Sequence, residues 1–580
     1  MVQGFSHRVR WVIQPIRAEV VARIQREVGV SEILARLLVN RGITEPEQAV
    51  RFLYPDWQHL PDPFLLPDAR IAVERLLQAI ERGEKVLVYG DYDVDGVTSA
   101  ALWYHTLSKL RARVLARVPH RKRDGYDIRV PVVDEAHQQG VSLILTCDCG
   151  IQAHGVVERA RELGIDVIIT DHHEPGEEVP QALAVVNPHL PHSRYPFADL
   201  SGVGVSYRLG EALVQAKGFA PQNYRNHFLD LATLGTIADV MPLMEENRVF
   251  AWYGLHSIPR SKRPGVQALL SVARVSADKP VTMRQVQFAL APRINAVGRL
   301  DDAAIALELL TTDDPQRALH LAQELEEHNR RRRSEQHRIL GQALEQAKQR
   351  DIAREWVLVL TGEEWDKGVI GIVASKVLEQ YHRPTVMISL DAECGIGRGS
   401  ARSIRSYDIF RAIEERRDLF IECGGHTLAA GFSIRVEHIE ELREHLNRLA
   451  HEWMSPEDLL PRLDIDADIE PADVTPTLVD EIARMEPFGH GNPEPMFLTR
   501  GLTILEKRRV GDGSHWKLTV RGEALPPTGC IAFGMGEYDL RFEVGDEVDV
   551  VHTPQWNEFN GRREIQLQVH DIRHSSGIIE

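Results

Sequence analysis

Between residues 85 and 170, short apolar runs alternate with longer stretches of helical spacing. The apolar cores fall in Lys85–Tyr89, Val114–Val118, Ser142–Thr146 and Asp166–Thr170, and the stretches between them are Thr98–Leu110, Val132–Gln139 and His154–Leu163. Strand-length Val/Ile/Leu runs separated by helices of ten or so residues predict βαβ units around a parallel sheet. The preceding segment is a helical lead-in, broken by the turn signals Leu53-Tyr54-Pro55 and Leu60-Pro61-Asp62-Pro63, with a helix predicted over Ala69–Arg82. Further on, Pro315–Arg350 predicts one long polar helix, and Trp356–Leu360 resumes the α/β pattern. The four arginines Arg330–Arg333 suit a solvated helix face, and a helix of this length also suits a connector between two lobes. From about Leu460 the pattern becomes strand-like, at Trp516–Val520, Gly529–Phe533 and Glu547–His552, with the hairpin signal Asn560-Gly561 between two such runs. The predicted fold class is α/β, a parallel-sheet domain and a second α/β lobe joined by a long helix, with a C-terminal all-β barrel.

Composition narrows the picture. A length of 580 residues gives a prior of about four units. Hydrophobic residues at 43% and charged residues at 26% suit a soluble protein with ample core. With 68 Lys+Arg against 85 Asp+Glu, the net charge of −17 excludes a protein that coats nucleic acid by bulk charge. It leaves room for an enzyme with a locally basic cleft. Five cysteines make no disulfide framework, which points to a reducing, cytoplasmic setting. The opening residues, Met1 to Arg8, carry no apolar h-region, and runs such as Val141–Cys147 fall far short of the roughly 20 residues of a membrane span.

The chemistry concentrates at predicted strand ends. Gly90-Asp91-Tyr92-Asp93-Val94-Asp95-Gly96 follows the first strand directly, Asp148 follows the third, and Asp171-His172-His173 follows the fourth. Ligands of open α/β sheets bind outside the carboxyl ends of the strands. So many carboxylates in one crevice repel one another unless divalent cations neutralise them, and carboxylate oxygens with one or two imidazoles suit Mn²⁺ or Mg²⁺. Taken singly, each piece has a plainer reading: Asp95 or Thr98 as a helix cap, His172-His173 as surface, Cys147 and Cys149 as packing rather than zinc ligands. The coincidence of all three clusters favours the metal.

These motifs resemble the DHH phosphoesterase superfamily and, within it, the RecJ family of single-strand-specific DNA exonucleases. The resemblance covers nearly the whole chain. It extends through Arg121 with Asp124-Gly125-Tyr126, Ser201-Gly202-Val203-Gly204-Val205 and Gly235-Thr236-Ile237-Ala238-Asp239-Val240. In the second lobe it runs through Pro292-Arg293-Ile294-Asn295-Ala296-Val297-Gly298-Arg299, Gly397-Arg398-Gly399-Ser400-Ala401-Arg402-Ser403 and Gly424-Gly425-His426-Thr427-Leu428-Ala429-Ala430-Gly431. Glu486 to Pro495 looks like the approach to the family's OB-fold. One departure is Asp127, where the family usually continues with Gly.

The resemblance implies a helical lead-in over 1–68, a DHH domain over 69–300, a connecting helix over 301–350, a DHHA1-like domain over 351–455 and an OB-fold over 460–580. It implies two Mn²⁺ or Mg²⁺ ions on Asp93, Asp95, Asp148, His172 and Asp239, with His173 a further ligand or phosphate contact and Asp91 and Asp171 orienting groups. Metal-activated water would then attack phosphorus in line. Glycines let backbone N–H groups approach phosphate, and nearby arginines add charge. On their own such glycine-rich stretches are usually just turns; the resemblance implies that Arg121, Arg293, Ser400 and Arg402 hold a 5′-terminal phosphate, His426 a neighbouring one, and that Asn295, Arg299 and Arg398 line the strand's path. Trp516, Trp556 and Phe559 lie near Lys507, Arg508, Arg509, Lys517, Arg562 and Arg563, a mixture that suits base stacking, although at least half of such aromatics are expected in the barrel core. The implied activity is 5′→3′ hydrolysis of single-stranded DNA to nucleoside 5′-monophosphates by a monomer. Single-stranded-DNA-binding protein and a RecQ-type helicase are the implied protein partners, and no membrane is involved. Shorter DHH enzymes, such as oligoribonucleases and pyrophosphatases, lack the C-terminal barrel. A non-catalytic scaffold of this fold would show degraded ligand positions, and here all are filled.

Overall fold

The structure, a computed structural model, describes residues 9–119, 127–300, 303–391, 393–536, 542–559 and 561–575, and the backbone alone of Arg299, Leu300 and Phe559. The chain divides into two compact units. The first gathers Trp11–Ala291, Ala303–Leu321 and the chain from Leu463 onward; the second is built mainly from Ala322–Arg462, with the residues from Pro292.

The first unit centres on five parallel strands, β1 (Lys85–Gly90), β2 (Arg113–Arg117), β3 (Val141–Cys147), β4 (Asp166–Thr170) and β5 (Ala184–Val186). They lie in the order β2-β1-β3-β4-β5, all parallel. In this doubly wound order the chain reverses direction between β1 and β3, which opens a crevice at their carboxyl ends. The register completes the argument, because Gly90 pairs with Cys147 and Cys147 with Thr170. The next residue on each strand is an aspartate: Asp91, Asp148 and Asp171. Three helices back this end of the sheet, α1 (Val94–Lys109), α2 (Gly202–Ala216) and α3 (Pro221–Ala238), and most residues of each are buried. A helix apolar on nearly all sides belongs in a core, not on a surface.

The lead-in is part of a distant core. Its helices Ala18–Val28, Glu32–Asn40 and Pro46–Leu53 bury Ile24, Leu34, Leu37, Leu38 and Phe52 in one cluster with Phe497, Leu518, Val550 and Leu567 of the C-terminal barrel. Polar contacts fasten the same junction: Arg41 pairs with Asp466 at 3.1 Å, and Ser31 N–H donates to Glu481 at 3.1 Å. The barrel closes through Phe497–Val510, His515–Gly522, Leu525–Ala532, Arg562–His574 and Glu547–Phe559, the last pairing back onto the first. Closure leaves no unpaired edge.

In the second unit, a mixed sheet orders Phe420–His426, Ala429–Arg435, Ile396–Arg402, Thr385–Asp391 and Leu358–Glu363. The long helix runs from Pro315 to Lys348, slightly shorter than the expected span. Arg330, Arg331 and Arg333 on it are exposed, the first two pairing with Glu326 and Glu327 one turn back, whereas Arg332 is half-buried and donates to Asn329 at 3.0 Å and Gln336 at 3.3 Å. Among the described residues no helix is long and apolar enough to cross a membrane.

Candidate metal centre

The loop after β1 is shaped by close packing against α1. Asp93 caps α1, its Oδ1 accepting the Gly96 N–H at 3.0 Å. A Cβ on Gly96 would lie 2.4 Å from the Asp91 backbone nitrogen, so only glycine fits at that turn. Asp95, one residue into the first turn, is buried and points at the start of α2, where Gly202 and Val203 donate to its two oxygens at 2.6 and 2.8 Å. The positive end of a helix is thus aimed at a carboxylate. Even so, burial, and then the charges of Asp239 and Asp93, push the Asp95 carboxyl well above the usual range.

Asp148 turns off β3 with a φ of 62°, a left-handed conformation rare outside glycine, asparagine and aspartate. That turn buries its carboxylate beside His172, whose Nε2 lies 3.1 Å from Asp148 Oδ1, 3.6 Å from Asp239 Oδ2 and 3.8 Å from Asp95 Oδ2. Burial and the neighbouring His173 push the His172 pKa down to about 4, leaving a neutral imidazole with a lone pair to offer. Asp171 is fully buried, and its carboxylate is consumed by donors: Ile151 N–H at 2.9 Å, His172 N–H at 2.8 Å and His173 Nδ1 at 2.7 Å. Burial alone would raise its pKa, but the hydrogen bonds and charge of His173 hold it below the usual value. The same bond, donated by His173 to Asp171, raises His173 to about 9, so the half-exposed second histidine is a cation at neutral pH. Asp239 ends α3, and burial with the charge of Asp93 pushes its carboxyl up to about 7; Asp91 rises to about 7 for the same two reasons.

Three sets of side chains bring one ligand atom each to within 4.8 Å of one another: Asp95, His172 and Asp239; Asp91, Asp93 and Asp148; and Asp148, His172 and His173. Buried Asp91 Oδ1 and Asp148 Oδ1 make no hydrogen bond among the described residues. Orphaned carboxylate oxygens, raised carboxyl pKa values and a neutral imidazole are the features expected of a site whose charge a hard divalent cation balances. Asp91 stands among the possible ligands, whereas Asp171 is occupied in positioning His173.

Two further residues, Asn187 outside the motifs and Gly235 within one, also build the centre. Asn187, directly after β5, donates from Nδ2 to the His173 carbonyl at 2.8 Å and braces the Asp-His-His turn. Its place one residue past a strand end, like the three aspartates, was the available signal. Gly235 on α3 lets Asp95 approach, since a Cβ there would sit 2.7 Å from Asp95 Oδ1.

Arg121 and Asp124-Gly125-Tyr126 lie outside the described residues. Asp127 has a φ of 63°, the conformation that favours glycine, and its Oδ1 accepts the Ile128 N–H at 2.7 Å. Aspartate meets the backbone requirement in another way.

In the second unit, Arg398, Ser400 and Arg402 alternate along one strand, opposite Ser433, Gly431 and Ala429; Glu422, Gly424 and His426 continue the same face on the next strand. A Cβ on Gly424 would meet nothing within 4 Å, so the face is open there. Arg402 Nη1 donates to Ser400 Oγ at 3.3 Å, and Arg398 pairs with Glu422 at 3.4 Å. Arg293 is largely buried on the helix Ala291–Leu300, its Nε 2.7 Å from Glu326, with Asn295 half-buried on the same helix; Arg299 shares this helix and is described in backbone alone. Arg398, Ser400, Arg402 and His426 therefore share a face, while Arg293 forms an ion pair of its own.

Trp516 corrects an expectation. It is 8% exposed, part of the barrel core, and its ring is covered by Lys507 at 5.0 Å and Arg509 at 4.9 Å. A ring enclosed by the core and two cations offers no face to a base. Trp556 is half-buried, with Arg563 over its ring at 4.1 Å and its Nε1 donating to Asp480 at 2.8 Å.

Acidic and histidine-bearing turns at the switch point of a parallel sheet, matched by the DHH family N-terminal domain over residues 85–236 and the DHHA1 domain over 355–452, define a DHH phosphoesterase. The RecJ OB domain matches 465–571, and the chain is 37% identical over 567 residues to the single-stranded-DNA-specific exonuclease RecJ of Bacillus subtilis, covering 98% of this chain and 71% of that one. The chain belongs to the RecJ family. The RecJ of Escherichia coli K12 is 35% identical over 583 residues, covering 97% of this chain and 99% of that one. The crystal structure of Thermus thermophilus RecJ in complex with Mn²⁺ matches with a TM-score of 0.83 at 31% identity, covering 98% of this chain and 80% of that one. The same relative has a Mg²⁺ complex that matches with a TM-score of 0.77 at 30% identity, covering 98% and 79%.

Proposed function

We propose that this chain is a divalent-metal-dependent exonuclease that degrades single-stranded DNA from its 5′ end to nucleoside 5′-monophosphates. The observation that carries the reading is the convergence of Asp91, Asp93, Asp95, Asp148, His172 and Asp239 into overlapping ligand sets with unpartnered carboxylate oxygens. Two Mn²⁺ or Mg²⁺ ions would be held there, one toward Asp95, His172 and Asp239, the other toward Asp91, Asp93 and Asp148. When bound, such ions supply Lewis acidity at phosphorus and a water acidic enough to attack near neutral pH.

The protein's own groups prepare that reaction. Asp95, pinned by the first N–H groups of α2, keeps its oxygens in fixed directions. His172, neutral, presents Nε2 as a ligand without competition from a proton. His173, charged through Asp171, suits a contact with a phosphate oxygen better than ligation, because a protonated nitrogen has no lone pair to donate. The open glycine-bearing face with Arg398, Ser400, Arg402 and His426 is the proposed seat of the strand's terminal phosphates. The RecJ relatives, named for single-stranded DNA, support the substrate class.

The test is digestion of single-stranded DNA labelled at the 5′ or the 3′ end, alongside duplex DNA and RNA, with Mn²⁺ or Mg²⁺. Immediate release of the 5′ label as mononucleotide, with duplex and RNA spared, is expected. Early release of the 3′ label, or equal cutting of duplex, would overturn the reading.

A further inference from the structure

Away from the metal centre, the first unit contains a cleft of about 400 Å³ between the helix Pro46–Leu53, the turn at His59-Leu60-Pro61, Pro196-Phe197 and the start of the helix Glu245–Ser257. Its volume lies within the roughly 300–1,000 Å³ of small-molecule sites. The walls are largely apolar, through Ile43, Phe52, Pro196, Phe197 and Val249.

One lining residue is out of balance. Arg248 is 1% exposed, yet its guanidinium has no carboxylate partner among the described residues. Nε donates to Phe52 O at 2.6 Å, Nη2 to Glu486 O at 2.8 Å, and the group lies 3.8 Å over the Phe52 ring. Nη1 is buried and makes no hydrogen bond among the described residues. Burial, with Arg41 nearby, pushes the Arg248 pKa down to about 9, as expected of a desolvated cation.

The acids that line the cleft do not offset it. Glu245, at the mouth, stands 3.8 Å from Arg51, and Glu246 faces Arg208 at 2.9 Å. Glu246 already has Arg208 and the Tyr195 hydroxyl as partners, and burial pushes its carboxyl up to about 7 even so. The cleft therefore combines a buried cation with an unpartnered nitrogen, a second arginine (Arg51) whose Nε makes no hydrogen bond among the described residues, and largely apolar walls. A buried charge without a partner is costly, and a ligand anion is the partner that would remove the cost.

We infer that this cleft is a binding site for a nucleoside monophosphate, with the phosphate toward Arg248 and Arg51 and the base against the apolar walls. A bare oxyanion would satisfy the arginines and leave the apolar walls unused.

The test is equilibrium dialysis of labelled dGMP against the full chain in chelator. It needs neither metal nor DNA, so its outcome is independent of the exonuclease reading. Arg248 ties Phe52 to Glu486, and its replacement risks the fold, so the variants are Arg51→Ala and Gln48→Trp, the second plugging the mouth. One equivalent of dGMP should bind, with affinity at least tenfold weaker in both variants at unchanged melting temperature. Deoxyguanosine and inorganic phosphate should each compete at least tenfold less well than unlabelled dGMP. Absence of binding, binding unchanged in both variants, or competition by inorganic phosphate equal to that of dGMP would overturn the inference.

Discussion

The carboxylate of Asp95 and the backbone N–H of Gly202, separated by 107 residues in sequence, lie 2.6 Å apart. This contact joins the loop after β1 to the start of α2. It also sets a close approach between α2 and Asp148, since a Cβ on Gly202 would stand 2.5 Å from Asp148 Cβ and 2.6 Å from its Oδ1. Gly202→Ala should therefore displace two carboxylates of the candidate metal centre without replacing either. Overpacking a rigid core of this kind costs roughly 1–3 kcal/mol, and the centre itself is what must shift. Hydrolysis of labelled single-stranded DNA should fall by about two orders of magnitude, a ΔΔG‡ of roughly 2.7 kcal/mol, while far-ultraviolet circular dichroism stays native. Near-normal turnover would mean that the centre tolerates the shift.

His172 is the side chain that two of the three ligand sets share with an imidazole nitrogen. His172→Ala should abolish hydrolysis and sharply weaken Mn²⁺ binding by calorimetry. The fold should persist, because the removed ring is replaced by space that water can fill beside polar groups. Retained activity with normal Mn²⁺ affinity would remove His172 from the metal site.

Much of this centre was legible because its elements are local. Apolar runs mark the strands, and Asp91, Asp148 and Asp171 each follow one directly; the sheet register then does the assembling. Asn187 obeys the same rule, but β5 is three residues long and too short to register as a strand. That Trp516 faces the core was not legible, because period-two alternation shows that a strand has two faces without showing which one a closed barrel turns inward. Most hidden was the union of the lead-in with the barrel, which rests on contacts between residues some 450 positions apart, such as Ser31 with Glu481. No local pattern encodes a partner at that distance.

That union changes what a truncation should do. With residues after 460 removed, Ile24, Leu34, Leu37 and Leu38 lose the barrel side of their shared core. At about 25 cal/mol per Å² of apolar surface, exposing several leucine-sized side chains costs more than a typical domain's margin. The shortened chain should aggregate or melt far below the full one by scanning calorimetry. A soluble truncation with an unchanged melting temperature would show that the lead-in stands alone.

The barrel also carries a pH-sensitive group. His552 is fully buried, its Nε2 2.8 Å from Thr499 Oγ1, and burial, then His570, pushes its pKa down to about 3. An unfolded chain takes up this proton near pH 6.5, and the folded chain refuses it until about pH 3. Stability from this site is thus complete above about 6.5 and declines as the pH falls toward 3. In urea unfolding, His552→Asn should lose less stability than the parent on going from pH 6 to pH 5, by about 1 kcal/mol. Parallel losses in the two proteins would place the titrating group elsewhere.

The last prediction concerns the second unit. Ser400 and Arg402 share the open face with His426, and Gly371, just inside the helix Ile370–Tyr381, comes so close that a Cβ there would lie 2.9 Å from Ser400 Oγ and 3.1 Å from Arg402 Nη2. A guanidinium beside a helix N-terminus is suited to a doubly charged terminal phosphate. Hydrogen bonds to charged groups contribute about 1.5–3 kcal/mol, which corresponds to roughly tenfold to hundredfold in discrimination. Arg402→Ala should reduce the preference for 5′-phosphorylated over 5′-hydroxyl single strands by that factor, mainly through KM, with Arg402→Lys recovering part of it. The measurement is competition between the two ends in one reaction. If both variants kept the parent's preference, recognition of the end would have to be sought away from this face.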